Sequence, residues 1–195
     1  MINEQELKEF YNKGVLAFEK QNYGYAIEIF SQILSLHYDN LEARHFLHLS
    51  LMQKAKNEPP SFTAKTMGAV SGLLLSMKAE GLLKKDNTAA ALETLENMIA
   101  SDPANISAFK KIAEVFYKKG LLSHAANNLE EAKTINPKDI DVLKKLGEIY
   151  LKKDDYQNAR VNYESALKIN PNDTDALRSL KNLDALGTIK REFNS

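Results

Sequence analysis

Residues 140–171 read IDVLKKLGEIYLKKDDYQNARVNYESALKINP, and this stretch decides the fold. Two series of small and apolar residues, mostly spaced three or four apart, flank a polar turn at Asp154 and Asp155 and end in Asn-Pro. The members of the two series are Leu143, Leu146, Gly147 and Tyr150, then Ala159, Tyr163 and Ala166. Because this spacing puts side chains on one face of a helix, the stretch predicts two amphipathic helices joined by a short turn.

The same ladder recurs twice earlier in the chain, each time at the same interval. The ladders close on Pro103, Pro137 and Pro171, which are equally spaced. The matching positions are Phe109, Ile112, Ala113, Phe116, Ala125, Leu129 and Ala132 in one copy and Leu75, Ala79, Leu82, Ala91 and Leu95 in the other. A fixed period of about 34 residues is typical of arrays in which each helix pair stacks on the next.

The ladder resembles the tetratricopeptide repeat (TPR), whose unit of about 34 residues orders small and large residues in the same way and ends in proline. The resemblance implies an all-α fold, a right-handed α-solenoid of helix pairs. The repeat pattern is regular in three consecutive units, at residues 72–105, 106–139 and 140–173. Residues 174–191 place leucines among polar residues and are predicted to form the capping helix that such arrays need.

The N-terminal part follows the pattern less closely. Gly14 stands at the small position of a first helix, where the resemblance implies a close approach of two helices. Ala26 and Phe30 match the alanine and the large residue of a second helix. Tyr38 replaces the closing proline, although the polar residues around it still suit a turn. A first TPR unit is therefore predicted before residue 41.

A third helix is predicted from residue 41 to residue 56. The run Asn-Glu-Pro-Pro-Ser at residues 57–61 stops it, because proline lacks a backbone donor and restrains the residue before it. We expect the domain boundary at this run. It divides an N-terminal part, residues 1–60, from the regular repeats and capping helix of residues 61–195.

The next segment departs from the repeat. The interval from Leu41 to Gly72 is shorter than one full period of the ladder. One interpretation is a degenerate repeat with a short second helix at residues 62–70, and the other is a single long helix at about residues 63–85. The apolar stripe favours the long helix, because it continues through Met67, Val70, Leu74, Met77 and Gly81 without a polar loop. The second unit is then irregular, with an odd number of helices before the regular repeats.

The composition excludes several functional classes. Lysine and arginine total 26, as do aspartate and glutamate, so no net field attracts nucleic acid or an anionic membrane. The absence of cysteine excludes disulfides and thiolate chemistry. The N-terminus is acidic where a secretory signal is basic, and the longest apolar run, residues 67–77, is too short to span a bilayer. We expect a cytoplasmic protein without a membrane span.

No arrangement of residues predicts catalysis. His45 and His48 lie three residues apart on one predicted helix, but a metal needs more ligands than these two, and no HExxH motif is present. We interpret the four histidines as solvent-facing or groove-lining. The eight glycines are scattered, so they form no phosphate-binding loop, and no nucleophile stands beside a base. The sequence predicts a protein that is not an enzyme and has no cofactor or metal.

The TPR resemblance assigns the candidate partner-binding residues, because the first helix of each repeat lines a concave groove in that family. Carrying the register along the chain gives Tyr11, Val15, Phe18, His45, Leu49, Met52, Leu73, Lys110, Glu114, Tyr117, Lys144 and Glu148. The N-terminal members suit an apolar anchor, and the charged C-terminal members suit control of register. If the helices close on one another, Tyr11, Phe18 and Met52 are core instead, and the sequence leaves both possibilities open.

The resemblance implies an adaptor that binds a peptide or helix of a partner protein in the groove. TPR co-chaperones grip the C-terminal carboxylate of Hsp70 or Hsp90 with a Lys/Asn–Asn–Lys/Arg clamp, and neither possible register supplies that clamp. The matching sites hold Tyr11, Val15, Phe46, Leu73 and Met77, or Ser76, Glu80, Lys111, Asp141 and Lys145. The alternative function is a self-assembling structural or regulatory helical-repeat protein, a homodimer. No nucleic-acid partner is expected.

Overall fold

The structure is a computed structural model that describes the backbone of residues 4–59 and 62–193 and the side chains of residues 4–59 and 72–185. All regular secondary structure in these residues is helical, which confirms the prediction of an all-α fold. The helices of the described residues are α1 (Glu4–Glu19), α2 (Tyr23–Leu36), α3 (Leu41–Asn57), α4 (Phe62–Lys84), α5 (Thr88–Ser101), α6 (Ile106–Lys118), α7 (Leu122–Ile135), α8 (Ile140–Lys152), α9 (Tyr156–Ile169) and α10 (Thr174–Phe193). None of them is long and apolar enough to cross a membrane.

The chain divides into two compact units, residues 1–112 and residues 113–195. In the first unit α1 packs on α2, α2 packs on α3, and α4 packs on α5, which also touches α2 and α3. The α1–α2 pair approaches closely at Gly14, where a Cβ atom would lie 2.8 Å from the ring of Phe30. Only glycine fits this approach, as the small position of the repeat predicts.

The second unit repeats this arrangement and ends in a cap. α7 packs on α8, α8 on α9, and α9 on α10. A Cβ atom on Gly147 would lie 2.7 Å from the ring of Tyr163, so α8 and α9 also meet where only glycine fits. The core of this unit consists of Leu143, Ala159, Tyr163, Ala166, Ala176 and Leu183. The last two belong to α10, which therefore covers the final helix pair as the predicted capping helix.

Helix α4 runs without interruption from Phe62 to Lys84. The preferred interpretation of one long helix is confirmed, and the alternative of a short second helix at residues 62–70 is wrong. α3 is consequently followed by another first helix, and it has no second helix of its own. The expected domain boundary at residues 60 and 61 lies outside the described residues.

Two devices shape the turns between helices. Asparagine or aspartate caps the N-terminus of most helices that follow a turn, and its side chain accepts a hydrogen bond from the backbone N–H three residues later. These caps are Asn22, Asn40, Asn87, Asn105, Asp139, Asp155 and Asp173. Each turn from a first to a second helix also contains one left-handed residue. These are Gln21, Asp86 and Asp154, with φ of 60°, 56° and 58°, and Gly120, with φ of 75°.

Candidate partner-binding surface

The predicted residues of α1 lie at the edge of an aromatic cluster. Tyr11 packs edge-on against Phe30 and Phe46, with ring centroids 5.8 and 6.0 Å apart, and Phe18 packs against Phe46 at 5.5 Å. Both side chains are half-buried, as is Val15, one helical turn from each. Burial, with a smaller effect of Glu42, raises the pKa of Tyr11. Tyr11 and Phe18 therefore join α1 to α3 and keep a partly accessible edge.

The predicted residues of α3 continue this surface. His45, Leu49 and Met52 are four and three residues apart, so they follow one stripe of the helix, and all three are half-buried. The His45 ring lies 6.1 Å from Phe46, which places it beside the aromatic cluster. Together with α1 they form a half-buried apolar surface on the first helices of the first unit.

Helix α4 carries the most exposed apolar residues of the described chain. Leu73, Leu74 and Met77 are 66%, 64% and 63% exposed, and their spacing groups them on one side of the helix. We call these three residues the α4 apolar face. Leu73 is a predicted groove residue, whereas Leu74 and Met77 are predicted only as part of the stripe that makes α4 continuous. Single exposed apolar residues are ordinary, but a contiguous group indicates contact with a partner.

The charged residues of α4 and α6 in the first unit are engaged with each other. Lys111 donates a hydrogen bond to Glu80, and this contact lowers the pKa of the Glu80 carboxyl. Lys110, which was predicted to line the groove, precedes Lys111 in the sequence and is half-buried. Because Lys111 and Glu80 compensate each other, this pair adds no net charge to the surface.

In the second unit Tyr117 and Glu148, both predicted, come together in a polar cluster. The Tyr117 hydroxyl donates to Glu148 and accepts from Lys152, while Lys145 Nζ lies 3.8 Å from the centre of the Tyr117 ring and 2.8 Å from Glu148 Oε2. Burial alone would raise the pKa of Glu148, but Lys145 and Tyr117 lower it overall. We call Tyr117, Lys145, Glu148 and Lys152 the Tyr117 cluster.

The other predicted residues of the second unit lie in separate ion pairs. Lys144 Nζ is 3.1 Å from Asp173 and 3.0 Å from Asp175, and the hydrogen bond to Asp175 is the main cause of its raised pKa. Glu114 is exposed and pairs with Lys118 at 2.6 Å along its own helix. Sequence reasoning missed Lys145 and Lys152 as members of the Tyr117 cluster. A cation close to an aromatic ring cannot be read from spacing alone.

The sequence did not predict a buried ionic triad in the first unit. Glu96 of α5 accepts from Arg44 Nε at 2.7 Å, and its other oxygen lies 2.7 Å from His48 Nε2. Arg44 and His48 are each 1% exposed, so the expectation that His48 faces solvent or the groove is wrong. Burial raises the pKa of Glu96, but His48 and Arg44 together overcome that effect and set it at about 2.

The repeat register contained a signal for this triad. Arg44 and His48 stand one repeat length after Phe10 and Gly14, so two polar residues occupy positions where the repeat requires an apolar and a small one. Buried charge needs a partner of opposite charge, and an acidic residue on a neighbouring helix was therefore to be expected. In the part of the chain that the structure describes, no three acidic or histidine side chains are grouped to hold a metal ion.

Comparisons with known proteins agree on the fold. The family model described as "Tetratricopeptide repeat" matches residues 140–173. No curated protein sequence matches the chain. The first TPR domain of Spaghetti (RPAP3), solved with the HSP90 peptide SRMEEVD, is similar with a TM-score of 0.54 and 18% identity, over 60% of this chain and 93% of that one.

Two further structures are similar. The Sgt2 TPR domain from Aspergillus fumigatus has a TM-score of 0.53 and 19% identity, over 64% of this chain and 83% of that one. The P58(IPK) TPR domain has a TM-score of 0.51 and 19% identity, over 95% of this chain and 67% of that one. At these identities the likeness concerns the fold alone.

Proposed function

We propose that this chain, which carries a tetratricopeptide repeat and has the fold of that family, is a non-enzymatic adaptor that holds a peptide or helix of a partner protein on its first helices. The observation that carries the proposal is the α4 apolar face. Leu73, Leu74 and Met77 expose about two thirds of their surface on a first helix, where TPR proteins place their ligands.

The chemistry of the α4 apolar face suits an aliphatic or aromatic anchor residue. Burying a leucine-sized side chain stabilises a complex by ~1.5–3 kcal/mol, so three such residues are sufficient for a central contact. Met77 adapts its shape because its side chain is unbranched and flexible. The half-buried stripe of α1 and α3 is a further apolar surface in the same unit.

The Tyr117 cluster is a second candidate contact, considered by itself. Its tyrosine ring offers an apolar surface, and its two lysines and one glutamate offer charges of both signs. Charged groups of this kind select and orient a ligand more than they add affinity. We infer a partner segment with an apolar anchor and polar flanks.

The ligand of the Spaghetti (RPAP3) domain is not transferred to this chain. That domain was solved with an HSP90 peptide whose last four residues are Glu-Glu-Val-Asp. Clamp positions on this chain hold Tyr11, Val15 and Phe46, or Ser76 and Glu80, in place of the required lysines and asparagines. A different peptide class is therefore proposed.

Selection from a displayed random-peptide library, followed by titration of the enriched peptides, tests the proposal. Leu73→Glu together with Met77→Glu is expected to weaken binding at least about tenfold, because it puts two charges in an apolar contact. These exposed positions leave folding intact, whereas Tyr11 and Phe18 pack against other rings. Leu36→Glu, at a position on α2 that is 55% exposed, is the matched control. Unchanged affinity in the double variant would remove the α4 apolar face from the proposal.

The same face could instead hold a second copy of the chain, as in the homodimer alternative. Light scattering over a range of protein concentrations separates the two. A mass that rises with concentration, and returns to that of one chain in the Leu73→Glu and Met77→Glu variant, identifies self-assembly. A constant mass of one chain leaves the adaptor.

A further inference from the structure

Three positions of the repeat join a first helix to the second helix that precedes it. In α10, Ala176 and Leu183 are buried in one cluster with Tyr163 of α9, and Leu180 packs against the same cluster. The equivalent residues of α3 and α8 are buried, and these helices pack on α2 and α7. They are Ala43, Leu47 and Ser50 in α3 and Val142, Leu146 and Ile149 in α8. We call these three places in the repeat the stacking positions.

Helix α4 carries its stacking positions at the surface. Leu74 is 64% exposed, Lys78 is exposed, and a Cβ atom on Gly81 would meet nothing within 4 Å. The order of the helices explains this exposure. α3 has no second helix of its own, and α2 and α3 contact α5, the partner of α4. The place that a preceding second helix takes on α3, α8 and α10 is therefore open at these residues of α4.

Helix α1 provides an internal comparison, because no helix precedes it in the described residues. Its stacking positions and the two positions beside them are exposed, and four of these five residues are polar. They are Lys8, Glu9, Asn12, Lys13 and Leu16. The same five positions of α4 include one polar residue, Lys78, and the two beside the stacking positions hold Leu73 and Met77. This face of α1 is adapted to water, whereas that of α4 is a surface for contact.

The stripe on α4 has the dimensions of a single helix contact. It consists of Leu74, Met77, Lys78 and Gly81, at i, i+3, i+4 and i+7. These positions share one face of α4 over about two turns. A helix that docks on a protein surface uses anchors at this spacing. A stable dimer takes roughly 20–30 residues from each copy, far more than this stripe contains.

The order of residue sizes distinguishes the partner helix from the second helices of this chain. In α10 the first stacking position holds the small Ala176 and the third holds the large Leu183, and α8 has the same order with valine and isoleucine. α4 reverses this order, with Leu74 first and Gly81 last. The second helices of this chain are therefore shaped for the opposite order. A helix that fits α4 has a small side chain against Leu74 and a large one over Gly81.

We propose that the stacking positions of α4 bind an amphipathic helix of a partner protein, with a large and a small apolar residue seven positions apart. The large residue covers Gly81 and the small one lies against Leu74, with the alkyl chain of Lys78 between them. The proposal rests on the adaptor function proposed above, because it specifies the bound segment as a helix and places it on the stacking positions.

A displayed library of helical peptides tests the proposal on the full chain. Each peptide has about 16 residues, roughly four turns, with a constant polar face and with alanine, valine, leucine or phenylalanine varied on the other face. The enriched peptides are expected to carry a large and a small residue seven positions apart and to bind in titrations followed by fluorescence anisotropy. Proline in the centre of a peptide is expected to abolish binding, because it breaks the helix.

Substitution of Gly81 provides a readout that contact elsewhere on the chain would not give. Gly81→Leu fills the gap on α4 and is expected to weaken binding of the selected peptide roughly tenfold. Alanine in place of the large residue of the peptide should restore binding to this variant, although it weakens binding to the wild type. Gly24→Leu on α2 is the matched control, since its Cβ atom also meets nothing within 4 Å. Circular dichroism and thermal unfolding verify that both variants keep their fold.

Leu73→Glu separates this proposal from the adaptor function. Leu73 is a predicted groove residue outside the stacking positions, so its substitution is expected to weaken the helical peptide less than Gly81→Leu does. A peptide from the random library that loses affinity with Leu73→Glu and keeps it with Gly81→Leu lies in the groove. If the helical library then gives no ligand, the adaptor function stands and the present proposal is wrong. If neither library gives a ligand, both are wrong.

Two further results would overturn the proposal. In one, Gly81→Leu leaves the affinity for the helical peptide unchanged, or alanine in the peptide does not compensate for it. In the other, light scattering shows that the chain associates with itself and that Gly81→Leu abolishes the association. The occupant would then be a second copy rather than a partner helix.

Discussion

At the scale of single residues, the aromatic ring of a second helix lies so close to the first helix that only glycine fits opposite it. Gly147→Ala is expected to lower the free energy of unfolding by ~1–3 kcal/mol, because its Cβ would lie 2.7 Å from the buried Tyr163 ring and force a shift. Gly81→Ala in α4 meets nothing within 4 Å and should raise it by up to ~1 kcal/mol through helix propensity. Denaturant unfolding measures both. Equal effects of the two substitutions would contradict the close approach.

The buried triad predicts a pH-dependent stability. The folded pKa of Glu96 is about 2, below its ordinary value of 4.5, so its stabilisation is complete above pH ~5 and is lost as the pH falls towards 2. The loss is roughly 3 kcal/mol at about 1.4 kcal/mol per pKa unit. Glu96→Gln should cost ~3–5 kcal/mol at pH 7, because it removes the charge that compensates the buried Arg44 guanidinium.

Urea unfolding of both proteins between pH 7 and pH 2.5 checks this expectation. The difference in stability between wild type and Glu96→Gln should shrink as the pH falls below 5. A difference that stays constant over the range would show that Glu96 remains ionised to the same extent in the folded and unfolded chains.

Sequence predicts one of these two residue-level features and misses the other. Gly14 and Gly147 occur at the small positions of the ladder, and the rings that they meet, Phe30 and Tyr163, lie in the next helix of the same repeat. The spacing of residues alone therefore locates both glycines. Arg44 and Glu96 are 52 residues apart, and only the fold brings them together. A register that places a charge at a buried position indicates that a partner exists, but it does not identify the partner.

At the scale of helices, the residue at the N-cap differs between equivalent turns of the repeat. Asn87 and Asp155 cap α5 and α9, but Leu121 stands at the same position before α7 and makes no side-chain cap bond. Leu121→Asp is expected to stabilise the chain by up to ~1 kcal/mol, and Asp155→Leu to destabilise it by ~1 kcal/mol.

Thermal unfolding of the two single variants measures this pair of effects. The reciprocal design controls for the side chains themselves, because the same two residue types are exchanged at equivalent positions. Shifts of the same sign in both variants would show that capping does not dominate at these turns.

The continuity of α4 was predictable because its apolar stripe is unbroken, and apolar period is the strongest signal in a sequence. The exposure of Leu74 and Met77 to solvent was not predictable, because an apolar stripe on one helix does not show whether another helix packs against it. The irregular unit followed from a count of residues between Leu41 and Gly72.

At the scale of the whole molecule, balanced charge predicts solution behaviour. Acidic and basic residues are equal in number and the isoelectric point is about 6.9, so repulsion between copies is weakest near pH 7. The second virial coefficient from static light scattering should be lowest there and rise at pH 5 and pH 9. A coefficient that does not change with pH would show that contacts other than net charge dominate.

The repeat array as a fold was predictable from its fixed period, because each unit depends on its neighbours in sequence. The two candidate surfaces were predictable in part. Tyr117 and Glu148 were assigned by register and lie together, whereas Lys144 turns to Asp173 and Asp175. The repeat register places a residue on one face of its helix, but the ion pairs available to its side chain determine where the charged group lies.

The left-handed turns affect how much sequence change the chain tolerates. Gln21, Asp86 and Asp154 each hold a left-handed conformation, which costs most residues with a side chain ~1–2 kcal/mol and aspartate less, while Gly120 shows that glycine occupies the same place without that cost. Exchange for glycine at these turns would relieve this strain at residues that lie outside the α4 apolar face. The chain thus has a reserve of mutational robustness, on which new binding specificities could evolve without loss of the fold.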